Sequence, residues 1–204
     1  MAKMGNFSAT GMKKLQKQLN KIQQDNVEAF IDACAKELAA RLLAEVIQRT
    51  PVGHKPTFDG KKTIKVKGAS GKTRTFLSSE YVAYKQAWDG YSGGTLRRGW
   101  TSKTQEEAEA GVNTKAKDYA NSLTINHIGN MLNIEIVNPV EYASYVEYGH
   151  RQNPGRYVPA LGKQLKKGWF KGRFMLTNSE KEIQEIAPQV LESKIKKFMG
   201  DCFK

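Results

Sequence analysis

From Met12 to Arg49 apolar side chains return every three or four residues. Met12, Leu15, Leu19 and Ile22 are followed by Val27, Phe30, Ile31, Cys34, Leu38, Leu42 and Val46. That period belongs to a helix with one buried face, and such a face obliges the rest of the chain to supply a partner for it. The stripe slips at Gln24-Asp25-Asn26, where Asp25 and Glu28 resemble a capping pair, so one helix or two are both compatible with it. Thr50-Pro51-Val52-Gly53 ends the run, because proline lacks the amide that a continuing helix needs and disfavours helical geometry in the residue before it. A second stripe, Ile183, Ile186, Val190, Ile195 and Phe198, predicts a terminal helix, with Thr177 and Glu180 or Ser179 and Glu182 as alternative capping boxes.

Between the helices the period changes to two. Residues 63–67 and 73–77 alternate around the turn-prone Gly68-Ala69-Ser70-Gly71, which reads as a hairpin arm within a segment, residues 54–92, that has little other apolar periodicity. An isolated two-stranded ribbon is marginally stable, so this arm is expected to order against a neighbour. Residues 94–101 have the composition of a strand at their centre and lead into an acidic, Ala-rich segment around Glu106, Glu107 and Glu109. Leu123 and Ile125, then Leu132, Ile134 and Ile136, alternate with polar residues on either side of Gly129-Asn130, placing one apolar face on an antiparallel pair. Asn138-Pro139 stops that strand. Tyr142, Tyr145, Val146 and Tyr148 follow at helical offsets as a brief amphipathic element that Gly149 is suited to end. The expected fold is α+β: a small antiparallel sheet packed against the long N-terminal helix and the C-terminal helix, in a single domain over residues 1–204 with residues 54–92 inserted as a basic arm.

A search for chemistry finds little. His54, His127 and His150 offer no i, i+4 pair for a metal, and Cys34 and Cys202 match neither a zinc spacing nor a needed staple in a chain of 204 residues. Asp118, Glu135 and Glu141, with Lys115 and Lys117 nearby, form the kind of triplet any chain this long supplies, and metal-assisted phosphodiester cleavage requires tighter clustering. There is no G-x-S-x-G elbow and no phosphate loop. No cofactor and no catalytic residue is expected. No apolar stretch approaches the roughly 20 residues that cross a bilayer, and the first residues lack the apolar core of a signal peptide, so a soluble, cytoplasmic chain is expected.

Charge is the loudest compositional signal. Lys and Arg number 33 against 20 Asp and Glu, a formal charge of +13. Between Lys55 and Arg74 lie Lys61, Lys62, Lys65, Lys67 and Lys72 with Asp59 as the one acid. Between Arg151 and Arg173 lie Arg156, Lys163, Lys166, Lys167 and Lys171 with no acid, and Tyr157, Trp169 and Phe170 are interleaved. Such segments suit three settings: water, an acidic protein neighbour, or a nucleic-acid backbone with bases stacked on the aromatics.

The string Tyr142-Ala143-Ser144-Tyr145-Val146-Glu147-Tyr148-Gly149-His150, followed later by Gly172-Arg173-Phe174-Met175-Leu176, resembles the bacteriophage tail-completion, or head-to-tail joining, proteins known as neck or minor tail components. The usual order in that family is a helix ending in Thr-Pro-Val, a Thr-Gly-x-Leu-Arg strand start, a β-hairpin, a Tyr-Ala-x-Tyr-Val-Glu-x-Gly helix and a Phe-Met-leading terminal helix. The matching parts here are Thr50-Pro51-Val52, residues 93–97, residues 121–137, residues 142–149 and Phe174 onward. The insertion of residues 54–92 is the departure. The resemblance implies a non-enzymatic virion protein of a phage or phage-derived tail. It would act as one copy in a ring, with sixfold symmetry the usual one, at the head-proximal end of the tail, touching the head connector and the tail tube or terminator after assembly in the host cytoplasm. In such a ring Trp100, Tyr145, Tyr148, Trp169 and Phe170 have the character of interface centres, or of ordinary core for Trp100 and Tyr145. Arg97, Arg98 and Arg151 suit a neighbour's carboxylates, Leu96 and Glu147 complete the candidate interface, and Glu147 equally suits water. The arm is expected to reach another copy or another ring. The alternative is a nucleic-acid-binding module using residues 55–74 and 151–173, on its own or as a ring through which DNA passes.

Overall fold

A computed structural model describes residues 27–202, except 69–70, 92, 130, 160 and 162, together with residues 13, 16 and 17; for residues 201–202 it describes the backbone alone. Met12, Leu15, Leu19, Ile22 and the Asp25 cap therefore lie outside the described residues, as do Ala69, Ser70, Asn130 and the side chain of Cys202. The chain divides into two compact units: residues 1–49, 113–137 and 176–204 form the first, and residues 50–112 and 138–175 the second. The fold is α+β, with the strands distributed over four separate two-stranded antiparallel ribbons.

The first unit is built on α1 (Val27–Arg49), which packs on the short α5 (Ala116–Ser122) and runs antiparallel to α7 (Met175–Cys202). Three contacts fix that direction: Phe30 stacks on Phe198 with ring centroids 4.3 Å apart, Glu37 lies 3.9 Å from Lys194, and Arg49 pairs with Glu182. On α5, Lys36 Nζ donates to the Asn121 carbonyl at 3.0 Å. The buried face of α1 is Cys34, Ala39, Leu43 and Val46. It is rotated from the one that periodicity predicts, with Leu38 and Leu42 half-buried and Ile31 exposed, because two helices flank α1 and the deepest line falls between them. The terminal helix begins at Met175, ahead of both predicted capping boxes, and Ser179 is fully buried instead of capping. Its stripe follows the predicted spacing at Ile183, Ile186, Val190 and Phe198, whereas Ile195 is exposed. The hairpin β3 (Asn126–Ile128) and β4 (Met131–Asn133) is shorter than residues 121–137, yet Leu123, Ile125, Leu132, Ile134 and Ile136 are half-buried and Thr124, Asn133 and Glu135 exposed, in the alternation the sequence predicts. His127 Nε2 at its edge lies 3.1 Å from Asp32 Oδ1 on α1.

The second unit gathers around Thr50. Thr50 Oγ accepts from Trp100 Nε1 at 2.7 Å, and its carbonyl accepts from Arg97 Nε and Nη2 at 3.1 and 2.7 Å. Residues 95–99, predicted as a strand, are the short helix α3 (Thr95–Gly99). The helical turn is what aims neighbouring arginines at different carbonyls: Arg97 takes Thr50, while Arg98 takes Gly93 at 3.0 Å and Ala108 at 2.8 Å. A strand would send the two side chains to opposite faces. Asn138 closes the other side, its amide donating to the Leu96 carbonyl at 2.9 Å. The arm hairpin β1 (Thr63–Lys67) and β2 (Thr73–Leu77) forms over the two runs that alternation predicts, with Thr63 opposite Leu77 and Lys67 opposite Thr73. It is followed by a helix that periodicity did not reveal, α2 (Ser79–Ala87), capped by Ser78 and seated on Phe58 through Tyr81 and Tyr84, with centroids 5.1 Å away in each case. The acidic segment is α4 (Gln105–Glu109), with Thr104 Oγ1 accepting from the Glu107 amide.

The acid-free segment is a long hairpin, not a loop. After α6 (Ala143–Tyr148), β5 (Gly149–Arg151) pairs with β8 (Trp169–Lys171), and farther out β6 (Tyr157–Val158) pairs with β7 (Lys163–Gln164). Its base depends on two glycines. Gly149 ends α6 at φ 87°, and a Cβ on Gly172 would overlap the Glu147 carbonyl oxygen and lie 2.5 Å from the Tyr148 carbonyl carbon. That approach lets the Arg173 and Phe174 amides donate to the Val146 and Glu147 carbonyls at 2.8 and 3.0 Å, satisfying acceptors that a helix end leaves open. Phe174 takes φ 52° there, a conformation that costs a side-chain-bearing residue about 1–2 kcal/mol and that the flanking hydrogen bond holds.

Two outcomes follow. Gly172→Ala has no free volume to relax into and is expected to lower unfolding stability by about 3 kcal/mol or more in urea titration, whereas Gly168→Ala, whose Cβ would meet only Pro154 Cγ at 3.8 Å, changes it by less than about 1 kcal/mol. Burial, ahead of the Glu37 charge and against the opposing pull of Lys194, raises the Cys34 thiol above its ordinary range. Cys34 is therefore expected to alkylate at least tenfold more slowly at pH 8 in the folded chain than in urea, read by peptide mass spectrometry.

Candidate interaction surface

Three of the sequence-derived interface residues belong to the interior. Leu96 and Trp100 are 5% and 3% exposed, and Glu147 is 5% exposed, so the reading of Glu147 as a solvent-facing carboxylate is corrected. The reason is the turn of α6. Its carboxylate faces inward while Tyr145 and Tyr148, at 57% and 61% exposure, face out, the reverse of an aromatic core face. Arg97 and Arg98, expected to meet a neighbour's carboxylates, are engaged by carbonyls of their own unit. What remains outward is Tyr145, Tyr148, Arg151, Trp169 and Phe170.

The hairpin base assembles part of that set. Register places His150 opposite Phe170 and Arg151 opposite Trp169, so paired side chains share a face. The His150 ring stacks against Phe170 with centroids 5.7 Å apart and meets Tyr145 edge-on at 5.9 Å. The Gln152 side-chain amide lies 3.0 Å from His150 Nε2, within hydrogen-bond distance. The result is an ordered aromatic cluster of Tyr145, His150 and Phe170 on one face of the ribbon, while the exposed Arg151, Trp169 and Lys171 lie on its other face. Histidine is the member that sequence reading missed; its place opposite Phe170 follows from a strand pairing that no local pattern announces.

The basic candidates are all exposed: Lys61, Lys62, Lys65, Lys67, Lys72 and Arg74 on the arm, and Arg156, Lys163, Lys166, Lys167, Lys171 and Arg173 on and beside the long hairpin. Two carry local partners. Lys163 pairs with Asp59 at 2.7 Å, and the Lys62 ammonium lies 5.9 Å from the Tyr81 ring centroid. A separate acidic edge surrounds Tyr142. Gln105 donates to Glu109 Oε1 at 2.7 Å and accepts from the Glu141 amide at 3.0 Å, which ties α4 to the start of α6. Partial burial, then Tyr91 and Glu109, raise the Tyr142 hydroxyl above its ordinary value, against the smaller lowering effect of Arg98. Among the described residues no group of three or more His, Cys, Asp or Glu is placed to hold a metal ion; Asp118 and Glu135 belong to the first unit and Glu141 to the second. Among the same residues no helix is long and apolar enough to cross a membrane.

Residues 13–149 match the family model described as "Bacteriophage HK97-gp10, putative tail-component", and the chain belongs to that family. The match takes in the arm and ends at Gly149, where the long hairpin begins. No curated protein and no solved structure matches the chain.

The internal role of Arg97 has a measurable consequence. Arg97→Ala removes both guanidinium hydrogen bonds from the Thr50 carbonyl and is expected to lower the stability of the isolated chain by about 1.5–3 kcal/mol in chemical denaturation, while Arg151→Ala stays within about 0.5 kcal/mol of wild type.

Proposed function

We propose that this chain is a non-enzymatic ring subunit at the head-proximal end of a phage or phage-derived tail, assembled in the host cytoplasm, where it completes the tail and joins it to the head connector. The single observation that carries the reading is an ordered, exposed aromatic cluster, Tyr145 and Phe170 against His150, with Tyr148 exposed and Trp169 exposed on the ribbon's other face, on a member of a tail-component family. A ring subunit needs two different patches that meet head to tail, and closure follows from the rotation between copies. Aromatic side chains with an arginine at the rim are the composition of an interface centre, and here Tyr145, Tyr148, Trp169 and Phe170 are 47–61% exposed. In this reading the two compact units act together as one subunit over residues 1–204, Tyr145, Tyr148, Arg151, Trp169 and Phe170 meet a neighbouring subunit or the connector, and six copies close the ring.

A second reading keeps the ring and gives the long hairpin a DNA-facing role. It is favoured by the absence of acids from residues 151–173 and by the exposure of Arg156, Lys166, Lys167, Lys171 and Arg173 beside Trp169. Phosphate neutralisation would make duplex binding fall steeply between about 50 and 200 mM salt, and flat or absent binding removes this reading.

For the ring itself, the double variant Tyr145→Ser, Trp169→Ser is expected to keep wild-type thermal stability, since both side chains are more than half exposed, and to yield particles whose heads and tails separate in electron micrographs. Normally joined, infectious particles made with that variant, or a single copy per tail in purified virions, would overturn the proposal.

A further inference from the structure

The arm carries a surface that stands exposed among the described residues. All ten ladder residues of β1 and β2 are exposed. Register sorts them by face: Ile64 opposite Phe76 and Val66 opposite Arg74 lie on one side, and Lys65 and Lys67 opposite Thr75 and Thr73 lie on the other. One face is therefore apolar with a single cation, and the reverse face is polar apart from Leu77, which pairs with Thr63 at the root. Ile64, Val66 and Phe76 stand 44–50% exposed in a continuous stripe.

The base of the ribbon is well anchored. Ser78 N–H donates to the Lys62 carbonyl at 3.0 Å and Ser78 Oγ to the Lys61 carbonyl at 2.6 Å, while Tyr84 on the following helix donates to the Pro56 carbonyl at 2.5 Å. The turn is closed by the Gly68 amide on the Lys72 carbonyl at 2.9 Å. A ribbon held at root and tip but bare on both faces lacks the third layer that makes two strands stable in water.

We infer that the Ile64, Val66, Phe76 face of the arm docks on the acidic edge around Tyr142 of a second copy of this chain, with Arg74 and Lys72 meeting Glu106, Glu109 and Glu141. The occupant is chosen by complementarity. In a chain of net charge +13, Gln105 ties Glu109 and Glu141 into one edge, Glu109 lies near the exposed Tyr142 together with Tyr91 and Arg98, and Glu106 is exposed on the same short helix as Glu109. An apolar ribbon face carrying a cation finds there both an apolar floor and a carboxylate rim. Donor and acceptor patches are different surfaces of one chain, so the contact is heterologous, and each copy gives one arm and receives one. Opposite charge also speeds and orients the encounter more than it tightens it, which leaves the apolar stripe as the source of affinity.

This inference rests on the ring reading, and the test separates the two. Copy number in purified tails reports on the ring. Mixed ¹⁴N- and ¹⁵N-labelled full-length chain, concentrated or recovered in tails, is treated with a carbodiimide that joins lysine amines directly to touching carboxylates. The expected product is a mixed-isotope link from Lys72 to Glu106, Glu109 or Glu141. The charge-reversed double variant Lys72→Glu, Arg74→Glu is expected to associate at least ~100-fold more weakly by sedimentation, and adding Glu106→Lys and Glu109→Lys to it is expected to restore at least tenfold of that loss. Phe76→Ser, on an exposed position, should weaken association without shifting the unfolding midpoint. Many copies per tail together with an unaffected charge-reversed variant, or links that never cross isotopes, would overturn arm docking and leave the ring standing. One copy per tail would overturn both.

Discussion

The crossing of Gly149 and Gly172 is the constraint on which the outer surface of the second unit depends. A helix end, a strand start and the return strand of a hairpin come within backbone contact there, and neither glycine can carry a side chain without displacing main-chain atoms. The open carbonyls of Val146 and Glu147 receive amides from residues 173 and 174, so the end of α6 is fixed by the chain arriving from the far side of the hairpin. Tyr145 is thereby aimed outward, and His150 and Phe170 are brought opposite each other. Small side chains here serve a large-scale purpose: they let distant segments share one joint.

Thr50 is a second node of that unit. Proline at 51 cannot extend the helix, and the buried threonine before it needs partners for both its hydroxyl and its carbonyl. Trp100 and Arg97 provide them from one helical turn, and Arg98 uses the same turn to tie residues 93 and 108. Charge that looks available for a partner in a one-dimensional reading is consumed in holding loops together. The outward chemistry of the unit is then left to its tyrosines, to the exposed basic residues of two hairpins, and to one acidic edge.

Much of this architecture was legible beforehand, and the reasons are specific. The period-two runs of residues 63–67 and 73–77 are the two strands of the observed hairpin, because alternation and a glycine-bounded turn leave little choice of pairing. Asn138-Pro139, Gly149 and Thr50-Pro51 punctuate the chain where the sequence places them. The Tyr-Ala-Ser-Tyr-Val-Glu-Tyr-Gly string pointed to a phage tail family, and the family match covers it. Four short helices were not legible. Residues 79–87 gain their helix from a Ser78 cap and an aromatic seat on Phe58, residues 95–99 from side chains that bond distant carbonyls, residues 105–109 from a Thr104 cap, and residues 116–122 from packing on α1.

What the sequence determined by itself was the alphabet of elements: helices where apolar residues recur at the helical period, ribbons where they alternate, stops at proline and glycine, and a basic excess divided between two hairpins. Tertiary structure alone decided which side of each element faces inward. Glu147 is buried and its neighbouring tyrosines are not, Trp100 is core while Trp169 is surface, and the acid-free segment doubles back as a ribbon. A period states that an element has two faces, and only the segments that close over it, brought from far along the chain, select the one that water keeps.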